Sequence, residues 1–150
     1  TKAFGLYRER VGTPFALCVD AGEGARVQGQ MERISRSLVS MPPAHGAGTV
    51  AHVLHDPRLR TAWEEELAAM RRRLLGLRSE LGACSGDVPM LRHIEAQRGI
   101  FSMLPLSAEQ TEALGRDHAI HMPQSGRINI AGLKTGDAER LAKALAAVGG

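Results

Sequence analysis

The chain has 150 residues, 43% of them hydrophobic and only 3% aromatic, so a single core must rest on Leu, Ala, Val, Ile and Met. No run of about 18 apolar residues occurs, which excludes a membrane-spanning helix, and the opening TKAFGLYRER lacks the apolar stretch of a signal peptide. The formal charge is +3, and lysines are few (Lys2, Lys134, Lys143), so arginine dominates the basic residues. Its planar fork suits carboxylates and phosphates, although the base composition of the gene would produce the same bias. The cysteines, Cys18 and Cys84, form no CxxC pair and fit a reducing compartment, the cytoplasm.

In chain order, residues 1–9 read as a polar loop and 10–19 as a strand interrupted at Gly12 and Pro14. Val27, Met31, Ile34 and Leu38 recur at spacings of four, three and four, which predicts a helix over 24–40, ended by Met41-Pro42-Pro43. A second helical stretch covers 43–55. Asp56-Pro57 restarts the chain as N-cap and first helical residue. A long helix follows to about residue 83, with the stripe Leu59, Trp63, Leu67, Met70, Leu74, Leu77 and Leu81. Residues 87–97 are ambiguous and read as a short helix. Strands are expected at 100–104, 119–122 and 127–131. Ser107 and Gln110 form a capping box opening a helix to about Arg116, and the last helix covers 137–148. This final third reads as a small α+β unit.

Three blocks carry chemistry. The first is Lys2-Ala3-Phe4-Gly5-Leu6-Tyr7-Arg8-Glu9-Arg10-Val11-Gly12. The second is Pro42-Pro43-Ala44-His45-Gly46-Ala47, with Arg36 six residues before its first proline. The third is Ser125-Gly126-Arg127-Ile128-Asn129-Ile130-Ala131-Gly132, preceded by Gly99-Ile100-Phe101-Ser102. In this order, over nearly the whole chain, they resemble the aspartate and aromatic aminotransferases that depend on pyridoxal phosphate. The resemblance implies an α/β fold of type I. Residues 1–55 would close the large cofactor-binding domain, 56–84 would form a long connecting helix, and 85–150 the small α+β domain.

It also implies roles. Lys2 would join the cofactor aldehyde as an imine and then move a proton as general base and acid. The cofactor would hold the carbanion electrons. Arg10 would bind the cofactor phosphate through a bidentate fork, the alternative being a salt bridge with Glu9. Arg127 would grip the substrate α-carboxylate. Arg36 would reach across a homodimer to a distal carboxylate, or else be a solvated helix residue. Phe101 would line the substrate pocket or serve only the core. The substrates would be aspartate, glutamate or an aromatic amino acid with a 2-oxo acid, turned over by a two-half-reaction, ping-pong route.

Ala3, Val39, Met41 and the stretch His118–Pro123 depart from the family pattern, which bears on substrate preference. Arg71-Arg72-Arg73 has Glu64–Glu66 about two turns away and no aromatic platform, so a solvated face is expected rather than a nucleic-acid site. His45, His52 and His55 lack a compact zinc spacing; His45 reads as a packing or helix-start residue. The chain opens with Thr1, inside its own motif, which reads as a piece of a longer protein. In the family, the acid at the pyridine nitrogen and the aromatic that stacks on the ring precede this lysine. The alternative expectation is therefore an inactive fragment or interaction module, with apolar surface on the 59–81 helix available for association.

Overall fold

The computed structural model describes residues 2–149, which divide between Leu67 and Ala68 into two compact units. Helix α1 spans Ala21–Val39, α2 His45–His55 and α3 Pro57–Ala83, and the division falls within α3. They are followed by β1 (Phe101–Met103), α4 (Ala108–His118), β2 (Arg127–Asn129) and α5 (Asp137–Val148). Among the described residues the sheet is two-stranded and antiparallel, so the strand content of the expected large α/β domain is not seen in this stretch. No described helix is long and apolar enough to cross a membrane.

In the first unit, α1 begins three residues earlier than its apolar spacing predicts. Asp20 is the cause: its carboxylate accepts from the Glu23 N–H at 2.7 Å, and the Glu23 carboxylate accepts from the Val19 N–H at 2.7 Å. Asp56 caps α3 as expected, accepting from the Arg58 and Leu59 amides at 2.8 and 3.2 Å. The expected strand over 10–19 is a correction: residues 11–18 form no regular element. A strand is held by a neighbour's ladder, and no described residue supplies one. Phe15, Leu17 and Val19 are correspondingly exposed.

The second unit holds the larger core. Leu77 and Leu81 of α3 pack with Val88, Leu91, Ile94, Leu104, Leu114, Ile128, Ile130, Leu141 and Leu145. The capping box forms, with the Ser107 N–H donating to Gln110 Oε1 at 2.9 Å and the Gln110 N–H donating to Ser107 Oγ at 3.2 Å. Gln110 also donates to the Val148 carbonyl at 2.8 Å, tying the start of α4 to the end of α5. Residues 119–122 are not a strand. Instead, α4 runs to His118 and ends on Ala119 in the left-handed region, φ 52°, while the Ile120 N–H returns to the Leu114 carbonyl at 3.0 Å. That closure uses the donor a ladder would need. Residues 87–97 form only a 3₁₀ turn at Pro89–Leu91 and further turns, and β2 stops at Asn129, where a 3₁₀ turn at Ile130–Gly132 takes over.

Candidate functional site

In the first unit the Lys2 block is a short 3₁₀ turn, Lys2–Phe4, closed by Gly5, whose N–H donates to the Lys2 carbonyl at 3.2 Å. Gly5 has φ 66°, a conformation that favours glycine. Trp63 of α3 holds the turn. Its indole N–H donates to the Ala3 carbonyl at 2.8 Å, and its ring stacks on Phe4 at 4.6 Å with a 7° tilt. The backbone just after Lys2, at Ala3 and Phe4, is thus anchored to a long helix.

Arg10 stands farther along the same segment with φ 52°, an uncommon value for a residue with a side chain. Such strain persists only where the surroundings impose it. Its guanidinium is exposed and makes one long bond, 3.4 Å to the Tyr7 carbonyl. It does not pair with Glu9. The Glu9 carboxylate instead meets His45 Nδ1 at 3.0 Å, and His45 is the first residue of α2. The next residue, Gly46, is buried against the same segment: a Cβ there would collide with the Val11 side chain and lie 2.8 Å from Glu9 Cβ. The first two sequence blocks therefore dock on each other, through one His–Glu hydrogen bond and one glycine contact. Arg36 lies in the last turn of α1 and is exposed.

In the second unit, Arg127 opens β2. The register pairs Phe101 with Asn129, Ser102 with Ile128 and Met103 with Arg127, so Phe101 and Arg127 are diagonal neighbours on the exposed face. The Arg127 guanidinium carbon lies 5.0 Å from the Phe101 ring centroid, a cation–π distance. Gly126, just before, has φ 71° and is packed so closely that a Cβ would collide with the Leu104 carbonyl oxygen. This close approach fixes where β2 starts, and so where Arg127 emerges.

Arg127 and Phe101 share an open pocket of about 350 Å³. Its wall continues with Ile120, His121, Met122, Pro123, Ile128, Asn129, Gly132, Leu133 and Leu141. No acid lines it, and among the described residues Arg127 pairs with no carboxylate. One guanidinium in an otherwise largely apolar pocket suits a carboxylate attached to an apolar or amphipathic body.

Sequence reasoning missed three supporting side chains, one in the first unit and two in the second. Trp63 was read only as part of the α3 stripe. Arg73 was placed on a solvated face, yet it donates to the Ala131 and Leu133 carbonyls at 3.1 and 2.6 Å, gripping the turn after β2. Arg78 is 2% exposed and donates to Ile94 O (2.9 Å), Ser102 Oγ (2.8 Å), Gly99 O (3.0 Å) and Phe101 O (3.2 Å). Burial, and then the neighbouring charge of Arg98, lower its pKa from the usual guanidinium range. One signal was available: position 78 sits between Leu74, Leu77 and Leu81, within the apolar stripe, where a charged residue is out of place.

The comparisons with known proteins agree with these blocks. The family model for aminotransferases of class I and II matches residues 1–145. A tyrosine aminotransferase of Rhizobium meliloti is 46% identical over 143 residues, covering 95% of this chain and 37% of that protein. A mitochondrial aspartate aminotransferase of Arabidopsis thaliana is 35% identical, covering 96% of this chain and 34% of its own length. The crystal structure of an aromatic-amino-acid aminotransferase from Burkholderia pseudomallei, covalently bound to pyridoxal phosphate, superposes with a TM-score of 0.80 at 38% identity. That alignment covers 97% of this chain and 37% of the other. The chain spans a little over a third of the length of these relatives. With a family match over nearly all its residues and relatives well above 30% identity, the chain belongs to the class I and II aminotransferases.

Proposed function

We propose that the full-length protein is a pyridoxal-phosphate-dependent aminotransferase that moves an amino group between an aspartate, glutamate or aromatic amino acid and a 2-oxo acid. The observation that carries this reading is Arg127: an exposed guanidinium over Phe101, unpaired with acid among the described residues, in a pocket without carboxylates. Family membership adds the reaction class.

The residues present fit the cofactor. A primary amine, Lys2, and an exposed guanidinium, Arg10, stand on one segment, and the donor set matches an aldehyde and a phosphate. When bound there, pyridoxal phosphate supplies an electron sink for the carbanion left by loss of the substrate Cα proton. Lys2 takes that proton as base and returns one as acid. Arg127 orients the substrate by its α-carboxylate, and Phe101 bounds the side of the pocket where the guanidinium lies. Arg36 would select a distal carboxylate, working in the neighbouring subunit of a homodimer. The domain limits proposed are 1–55, 56–84 and 85–150, and the setting proposed is the cytoplasm.

The test is borohydride reduction of the full-length protein after incubation with pyridoxal phosphate, followed by peptide mass spectrometry and an assay of 2-oxo acid formed from aspartate, tyrosine and phenylalanine. The label belongs on Lys2, and Lys2→Ala abolishes both label and product. A label elsewhere, or turnover that survives Lys2→Ala, sinks the reading. A second reading, that residues 1–150 alone form an interaction module, is favoured by one observation. Phe15, Leu17, Val19, Ile34 and Leu38 are all more than half exposed. It predicts negligible turnover and self-association of the isolated 150 residues, seen as a concentration-dependent sedimentation coefficient.

A further inference from the structure

We propose that Arg78 is a positioning residue for carboxylate recognition: from inside α3 it holds the strand that carries Phe101, and through Phe101 it sets the Arg127 guanidinium. The inference rests on the aminotransferase reading and extends it to a residue that touches neither cofactor nor substrate.

Three observations carry it. The first is the target of the bonds. Three of the four acceptors, Gly99 O, Phe101 O and Ser102 Oγ, lie within the four residues that present Phe101, and the fourth, Ile94 O, leads into them. A planar guanidinium donating to points on both sides of one residue leaves its backbone little freedom to shift or rotate. The second is the charge. Among the described residues no acid pairs with Arg78, and Arg98 adds a like charge, so the buried cation is satisfied only by neutral acceptors. Burying a cation in this way is costly, and what offsets it is the set of acceptors it satisfies, which an apolar side chain at 78 would leave unpaired. The guanidinium is thereby committed to the segment that presents Phe101.

The third is connectivity. The Phe101 peptide is held from behind by Arg78, while its ring faces the Arg127 guanidinium at 5.0 Å on the open side of the hairpin. Ser102 points inward, is 4% exposed and pairs with Ile128, the residue next to Arg127. Loosening the grip lets β1 shift against β2 and moves the ring that flanks the guanidinium. A misplacement of about 1 Å in such a positioning group can cost about a hundredfold.

The experiment uses the full-length protein with the variants Arg78→Met, Arg78→Lys, Ser102→Ala and Arg127→Met. Equilibrium binding of two carboxylates without an amine, succinate and 3-phenylpropionate, is measured by calorimetry beside KM and kcat. Arg78→Met weakens carboxylate binding and raises KM by about tenfold or more, while kcat and the borohydride-trapped label on Lys2 change less than about threefold. Arg78→Lys, with charge and three donors, recovers part of the loss. Ser102→Ala, which removes one acceptor and leaves the guanidinium, weakens binding severalfold and decides the matter if Arg78→Met does not fold. Unchanged carboxylate affinity in Ser102→Ala and in folded Arg78→Met overturns the inference, as does an equal fall in label, kcat and binding. If Arg127→Met also leaves carboxylate affinity unchanged, it is the functional reading that has failed.

Discussion

Gly126 offers the sharpest test of how the hairpin places Arg127. Its φ of 71° costs an L-residue about 1–2 kcal/mol, and this is the first consequence of Gly126→Ala. The second is steric: the new methyl would overlap the Leu104 carbonyl oxygen, which is backbone and cannot rotate away. Relief requires β1 and β2 to part, stretching the 2.9 Å bond from the Leu104 N–H to the Gly126 carbonyl, where Leu104 is 4% exposed. Losing a buried backbone bond adds about 1–3 kcal/mol, so the total is roughly 3 kcal/mol. Gly136 supplies the control. It has φ 88° but open space around its Cβ position, so Gly136→Ala carries only the conformational cost, about 1–2 kcal/mol. The assay is amide hydrogen exchange of the full-length protein. Protection of the Leu104 N–H falls on the order of a hundredfold in Gly126→Ala and only about tenfold in Gly136→Ala, the fold-changes to which these costs convert. Equal effects of the two substitutions, or a fully protected Leu104 amide in Gly126→Ala, would refute the steric argument.

Gly46→Ala gains up to about 1 kcal/mol of helix propensity and loses about 1–3 kcal/mol to overpacking against Val11 and Glu9, so it destabilises the first unit. Gly48→Ala, in the same helix with nothing nearby, stabilises by about 1 kcal/mol; urea denaturation reads the opposite signs. Trp63→Phe keeps the stack on Phe4 but removes the 2.8 Å bond to Ala3, at a cost of about 1 kcal/mol. Limited proteolysis within residues 2–6 should quicken, and unchanged cleavage counts against the anchoring role. Ser107→Ala removes the N-cap of α4 and costs about 1 kcal/mol in thermal unfolding. The Ser107 side-chain hydrogen bond also holds the Glu109 carboxyl below its ordinary range. A depressed folded-state pKa contributes stability above the unfolded value that is lost as pH falls through the folded value. Carbon NMR titration should therefore show Glu109 moving up toward the ordinary range in Ser107→Ala, and that acid-side contribution should shrink, the backbone hydrogen bond at Glu109 remaining as the second lowering cause.

Local chemistry was legible from the residues alone. The N-cap at Asp56, the capping box at Ser107 and Gln110 and the long periodic stripe of α3 all act through neighbours a few positions away, so spacing is enough to see them, whereas the blocks around Lys2, His45 and Arg127 were legible through their resemblance to a family. The resemblance carried by those blocks agrees with the family match. Partnership across the chain was not legible. A strand reading over 10–19 needs a ladder that no described residue provides, and 119–122 lost its strand to the left-handed closure of α4 at Ala119. Arg71–Arg73 looked uniformly solvated, yet Arg73 reaches carbonyls nearly sixty residues away.

The sequence by itself determined which groups this protein has to work with, an amine at Lys2 and guanidiniums at Arg10, Arg36 and Arg127, and the helices that lie between them. Only the tertiary structure decided what holds them. Trp63 anchors the Lys2 turn across sixty residues, Gly46 docks the second block on the first, and Arg78 clamps the strand bearing Phe101. The physical reason is range. Periodicity and capping are written in near neighbours, whereas a buried arginine's worth depends on which distant carbonyls the fold sets before it.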